Sequence, residues 1–287
     1  MTTTAGAVLS AEEVERFWEL GYVVVRNALT AAEAERARRA ILGLVPDDLC
    51  LPPTWRSWMG RIKPYDESGR DMVDIPELLP LFANERLYRA AVQLLATPRL
   101  RVFDGSVGIT LRNDAPSETE RSQTLHIDAS VPEDVDDFLG TLEEIQVGGC
   151  FYLTDVERGG GGIHVVPGGH RIVAQQAAAV RGGRHLYANW KRIPPMESVE
   201  VLGEAGDFAL LHHLMPHAAS HNRRTTTRVA QFLRFVRTDH PHGAASLPVR
   251  SYSEEQLAVI SPLGRRLLGL DPWPDGGATS GPACATM

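Results

Sequence analysis

Cysteine, lysine and long apolar runs are all scarce in this sequence, and each scarcity narrows what the chain can be. Its three cysteines, Cys50, Cys150 and Cys284, are odd in number and far apart, which suggests neither a disulfide framework nor a thiolate zinc site. A reducing compartment fits, so a cytoplasmic location is expected. Lysine occurs only as Lys63 and Lys191, and 29 basic residues face 36 acidic ones, a formal charge of −7. Phosphate-backbone binding needs a net basic surface that releases counterions, so no nucleic-acid partner is expected. No stretch approaches the ~18 consecutive apolar residues of a spanning helix. Met1 to Leu9 also lack the basic and apolar regions of a signal peptide, so no membrane association is expected. What is present, 43% apolar and 23% charged residues over 287 positions, suits a single well-cored domain, as a monomer or homodimer.

The chain changes character near Leu100. Ser10 and Glu13, then Thr30 and Glu33, form two capping boxes, each opening an amphipathic helix, over 10–20 and from Thr30 to about Leu44. Gly21 and a short strand from Tyr22 to Arg26 separate them. Residues 46–74 read as a long connection with Trp55, Trp58, Arg61 and Lys63 available to line a pocket or pack structurally, and short helices are expected over 75–82 and 85–96. Beyond Leu100 come short β-branched and aromatic runs broken by turn residues: Val102 to Leu111, Gln123 to Ile127, Ile145 to Leu153, Ile163 to Val166, Val199 to Leu202, Phe208 to His213 and Arg228 to Arg237. Such a series predicts a sandwich or barrel. The expected organisation is a helical support over 1–98, a β core over 99–240, a helical segment over 241–274 and a tail over 275–287.

Ten histidines guarantee some accidental neighbours, so spacing must decide. His126 and Asp128 lie two apart in a predicted strand, whose period of two sends both side chains to one face. The apolar run Phe208 to His213 leads through Pro216 to His217, and Arg228 follows eleven residues later. A hairpin would set His217 and Arg228 on adjacent strands facing one cavity. Two histidines and one carboxylate that leave three positions of an iron open form the facial triad of non-haem Fe(II) oxygenases. A buried arginine nearby suits a dicarboxylate that chelates the metal at one end and needs a fork-shaped partner at the other.

In the order and separation of Gly21-Tyr-Val-Val-Val-Arg-Asn, His126-Ile-Asp128, the stretch from Gly162 to Arg171, Gly206-Asp-Phe, His217 and Arg228, the sequence resembles the phytanoyl-CoA dioxygenase-like branch of the Fe(II)/2-oxoglutarate-dependent dioxygenases over roughly residues 10–270. The resemblance implies a mainly β fold with flanking helices, a double-stranded β-helix (jelly roll, cupin-like). It implies His126, Asp128 and His217 as iron ligands and Arg228 as the partner of the distal 2-oxoglutarate carboxylate. Gln123 matches a position that contacts 2-oxoglutarate, and Phe151 one whose ring packs on it. Ala219 departs from the serine or threonine common at its position, whereas retention of Asp128 separates the chain from related halogenases. The implied reaction consumes Fe(II)-activated O2 and 2-oxoglutarate, releases succinate and CO2, and hydroxylates a C–H bond.

Other features carry less. Gly159 to Gly162 lack the following G-K-[ST] of a phosphate loop and read as a turn. Pro167 to His170 read as another turn with a structural His170, and one of His212 and His213 should face the interior near the metal. Six acids between Glu133 and Glu144 are a solvated loop or, at a substrate entrance, a preference for cations. The expected substrate is a small metabolite or natural-product intermediate. Desaturation, cyclisation or epoxidation by the same chemistry, a non-oxidative cupin-type metalloenzyme, and a silent binding module are the alternatives; Arg228 argues against the second and the intact ligand set against the third.

Overall fold

The computed structural model describes residues 7–56, 61–65, 75–103, 105–117, 121, 124–127, 146–179, 196–239 and 250–274. The first helix, α1 (Ala11–Leu20), opens with the Ser10–Glu13 capping box and ends at Gly21, whose φ of 83° is left-handed. A Cβ at Gly21 would lie 2.4 Å from both His170 and Met215, so only glycine turns the chain this tightly into β1 (Tyr22–Val25). Helix α2 (Ala31–Leu42) opens with the Thr30–Glu33 box and buries Ala34, Ala37 and Ile41. The expected helix over 75–82 is shorter, with α3 (Leu79–Phe82) following a turn, and α4 (Glu85–Leu95) is capped by the Asn84 side chain.

The remaining strands are β2 (Arg61–Ile62), β3 (Leu100–Phe103), β4 (Val107–Thr110), β5 (Gln146–Tyr152), β6 (Ile163–Val165), β7 (Val199–Val201), β8 (Phe208–His212), β9 (His217–Ala219) and β10 (Arg228–Arg237). The strands form two antiparallel sheets: a seven-stranded one ordered β1-β8-β5-β10-β4-β2, with β3 also on β10, and a three-stranded one ordered β7-β6-β9. The predicted run from Val102 to Leu111 is therefore two strands, which take successive lengths of β10. Two sheets with helices on one outer side are the architecture expected of a jelly roll.

The large sheet has one face for stability and one for the interior. Val147, Phe151, Phe208, Leu210, Val229, Leu233 and Phe235 point to the helices, where they join Phe17, Ile41, Leu87 and Leu94 in one buried cluster. Their strand neighbours Cys150, Tyr152, Ala209, Leu211 and Ala230 point the other way and meet Ile163, Val165 and Val201 of the small sheet. This is the period of two in a strand buried on both sides. Helices α6 (Glu254–Val259) and α7 (Pro262–Leu267) fall within the expected C-terminal helical segment, and the buried Leu267 adds to the helix-side cluster.

Two local expectations fail. The turn expected over Pro167 to His170 is confined to Pro167 and Gly168, closed by the Gly169 N–H on the Val166 carbonyl at 2.8 Å, and Gly169 and His170 already belong to a helix, α5 (Gly169–Ala179). The β9 and β10 strands are no hairpin: β9 pairs with β6 in the small sheet while β10 lies between β5 and β4 in the large one. The connection is held by buried Asn222, whose Nδ2 donates to the carbonyls of Thr110 and Thr226. His217 and Arg228 thus belong to opposite sheets.

Candidate active site

After β8 the chain turns through Leu214, Met215 and Pro216 and enters the small sheet at His217. The His217 backbone pairs with His126 in both directions, each N–H to the other's carbonyl at 2.8 Å. Directly opposed residues of antiparallel strands project to one side, and the two imidazole centres are 4.3 Å apart. Two imidazoles in neighbouring positions of one ion, each nitrogen at ~2.1 Å, would have centres roughly 4–5 Å apart. His217 Nδ1–H donates to the Met215 carbonyl at 2.9 Å, which fixes the tautomer with its lone pair on Nε2. His126 is turned the same way more loosely, Nδ1 lying 3.4 Å from the Thr124 carbonyl.

Arg228, the first residue of β10, faces them from the large sheet and is only 2% exposed. Its Nη2 donates to Cys150 Sγ at 3.2 Å, and its Cζ lies 5.5 Å from the Tyr152 ring centre and 5.7 Å from that of Phe232. Its Nε has no partner. Burial raises the Cys150 thiol pKa despite the adjacent Arg228, so Cys150 is a neutral wall of the site. The histidines and Arg228 share a cavity of about 160 Å³, lined also by Arg61, Lys63, Ser106, Ile163, Ala218, Ala219, Phe232 and Arg234. A wider cleft of about 610 Å³, bordered by α2 and by Thr154, Asp155 and Arg224, contains none of the expected site residues; it is larger but carries no convergent chemistry.

The remaining expected residues are distributed unevenly. Asp128 and Gln123 lie outside the described residues, as do Trp58, the acids between Glu133 and Glu144, and the 275–287 tail. Among the described residues no three His, Cys, Asp or Glu side chains converge as a metal site, so the structure supplies two of the three expected ligands. Phe151 is not brought to the cavity: it faces the helices, edge-on to Phe208 at 4.8 Å. The side chains of β5 that do face Arg228 are Cys150 and Tyr152. Neither His212 nor His213 lines the cavity; His212 packs between Trp18, His170 and His213 at 5.7, 5.0 and 4.4 Å. His170 has the structural role expected, its Nε2–H donating to the Trp18 carbonyl. The glycine turn wraps a carboxylate of the chain itself, with Gly159 and Gly162 N–H groups on Glu200. Arg61 and Lys63 do reach the cavity from the long connection, whereas Trp55 is spent on packing and a bond to the Tyr65 carbonyl.

A model of the phytanoyl-CoA dioxygenase (PhyH) family matches residues 17–230. No curated protein sequence matches the chain. Among solved structures, the chain is similar to the non-heme alpha ketoglutarate dependent carbocyclase SnoK from nogalamycin biosynthesis, with a TM-score of 0.56, 22% identity, and coverage of 83% of this chain and 88% of that one. It is similar to the epimerase SnoN in complex with Fe3+, alpha ketoglutarate and nogalamycin RO (TM-score 0.54, 19% identity, 79% and 82% covered). A third is EctD from S. alaskensis with 2-oxoglutarate and 5-hydroxyectoine (TM-score 0.53, 17% identity, 89% of each chain). At these identities the likeness is one of fold.

Proposed function

The chain belongs to the phytanoyl-CoA dioxygenase family, and from that premise we propose that it is a non-haem iron, 2-oxoglutarate-dependent enzyme that hydroxylates a C–H bond of a small metabolite or natural-product intermediate. One observation carries the reading: His126 and His217 face each other across an antiparallel bridge while a buried Arg228 projects into the same cavity from the opposite sheet. The residues fit the metal, because the His217 tautomer leaves Nε2 as ligand, and they fit the cosubstrate, because Arg228 Nε is buried without an acceptor. His126, His217 and Asp128 would hold Fe(II), with Arg228 on the distal carboxylate of 2-oxoglutarate.

When bound, the iron supplies O2 activation coupled to cosubstrate decarboxylation, so that R–H, 2-oxoglutarate and O2 give R–OH, succinate and CO2. The protein's share is positioning and exclusion. Arg228, fixed by Cys150 and stacked beside Tyr152 and Phe232, sets how deeply the keto acid enters. The Met215 carbonyl holds His217 in register, and the apolar wall of Ile163, Ala219 and Phe232 limits water at the reacting carbon. Similarity to structures of a carbocyclase and an epimerase from nogalamycin biosynthesis supports a small-molecule substrate. Protein mixed anaerobically with Fe(II) and 2-oxoglutarate should develop a weak visible charge-transfer band and release succinate on aeration; neither band nor succinate would sink the assignment.

A further inference from the structure

One cavity wall carries a second buried guanidinium. Strands β2, β4 and β10 lie side by side, with Arg61 opposite Thr110 and Thr110 opposite Arg228. Opposed residues project to one side, so the three polar side chains form a row across three strands. All are more than nine-tenths buried, at 7%, 1% and 2% exposure. Each has a polar atom with no hydrogen-bond partner: Arg61 Nε, Thr110 Oγ1 and Arg228 Nε. The two guanidinium carbons lie 5.7 Å from the same Phe232 ring centre. The sequence also makes room for the arrangement at Gly108, where a Cβ would approach Arg61 Nη2 to 3.1 Å.

Two neighbouring cations in a cavity are unfavourable unless an anion neutralises them. Burial and the Arg228 charge pull the Arg61 pKa down to about 10, still high enough to leave it charged at neutral pH. Among the described residues neither arginine has a carboxylate partner. A ligand carboxylate offers about four lone-pair sites, of which one guanidinium fork fills two. The small sheet lines the cavity with Ile163, His217, Ala218 and Ala219, of which only His217 is polar and it is assigned to the metal, so further donors come from the opposite wall, where Arg61 and Thr110 flank Arg228.

We propose that Arg61 and Thr110 complete, with Arg228, a two-guanidinium cradle for a single carboxylate, the distal one of 2-oxoglutarate, which makes Arg61 a specificity residue for the cosubstrate. This rests on the keto-acid reading above and adds to it a residue outside the expected ligand set. The experiment is equilibrium titration of Ni(II)-loaded protein, which does not turn over, with 2-oxoglutarate and with 2-oxovalerate, a keto acid lacking the distal carboxylate.

Arg61→Met should weaken 2-oxoglutarate binding by about tenfold or more, equivalent to about 1.4 kcal/mol, and leave 2-oxovalerate unchanged. Arg61→Lys should fall between, since it keeps the charge without the fork, and Thr110→Val should lose less than Arg61→Met. The methionine variant removes one of two like charges, so its unfolding midpoint without ligand should not fall. Unaltered 2-oxoglutarate affinity overturns the proposal, as does an equal loss for both acids, which would mean general damage. Normal 2-oxoglutarate affinity with a raised KM for a carboxylate-bearing substrate overturns it too, by assigning Arg61 to that substrate. Wild-type protein that binds neither keto acid would instead refute the keto-acid reading itself.

Discussion

Acid should destabilise this protein through a group of histidines that do not line the proposed metal cavity. His213 stacks on His212 with ring centres 4.4 Å apart, and His212 lies 5.0 Å from His170, beneath Phe17 and Trp18 of α1. Burial lowers the His213 pKa from 6.5 to about 4, with the neighbouring His170 adding repulsion. Burial likewise lowers His212 and His170, against which His213 and Arg171 respectively also act. The folded state therefore prefers neutral rings. A histidine whose folded pKa is depressed contributes nothing unfavourable above its unfolded pKa, and stability is lost as pH falls from 6.5 toward the folded value. For His213 alone the full loss, 6.5 to about 4 at 1.36 kcal/mol per pH unit, is about 3 kcal/mol. At pH 5 the linkage relation gives about 2 kcal/mol of it. Urea unfolding of metal-free protein at pH 7.5 and pH 5, for wild type and His213→Phe, isolates this share. The variant keeps an apolar ring in the stack and should lose about 2 kcal/mol less between the two pH values. Equal losses in both proteins would show that His213 is already charged or solvated in the fold, and the argument from its burial would be wrong.

The proposed site makes sharper demands. Arg228→Ala should raise the 2-oxoglutarate requirement by roughly a hundredfold, as removal of a charge-assisted pair worth about 3 kcal/mol does, while Fe(II) titration stays near wild type; parallel loss of iron would contradict its assigned role. Asp128→Ala should abolish hydroxylation, measured as product per succinate released, and undiminished turnover would remove Asp128 from the ligand set. Gly21→Ala should destabilise by about 1–3 kcal/mol in denaturant unfolding, because the new Cβ meets His170 and Met215 in a left-handed turn; an unchanged midpoint would show that the turn relaxes freely.

Those parts of the site that depend on local period were legible in the sequence. Capping boxes located α1 and α2, whereas His126, His217 and Arg228 share one cavity although the hairpin expected to join the last two does not form. What depends on non-local pairing was not. No local pattern says that the chain changes sheets between His217 and Arg228, since Asn222 anchors that turn through Thr110, more than a hundred residues earlier. Strand β2 is two residues long, too short for any alternation to announce it, so Arg61 and Lys63 stood out only as charges in a long connection. Helix α5 was hidden by the paired glycines at its start, which are turn signals in isolation.

Phe151 shows how one step of register divides chemistry from stability. Its face is set by β10, where Cys150 is opposite Phe232 and Phe151 opposite Gln231. Because successive residues of a strand alternate, assigning Cys150 to the interior forces Phe151 onto the helix side and Tyr152 back to the interior, beside Arg228. The aromatic partner of the site is thus one residue later than expected, and its ring is held by a hydroxyl that donates to the Val201 carbonyl of the small sheet at 2.8 Å. Tyr152 consequently ties the two sheets together at the place where Arg228 must be rigid. Tyr152→Phe, which keeps the ring and removes that bond, should therefore loosen the cosubstrate end of the cavity more than it destabilises the fold. Because the same hydroxyl also accepts from the Ile163 N–H at 3.3 Å, the measurable form is a rise in the 2-oxoglutarate KM larger than the drop in unfolding free energy, about 2 kcal/mol for two buried hydrogen bonds, would produce. A stability loss with an unchanged KM would assign the hydroxyl to sheet packing alone.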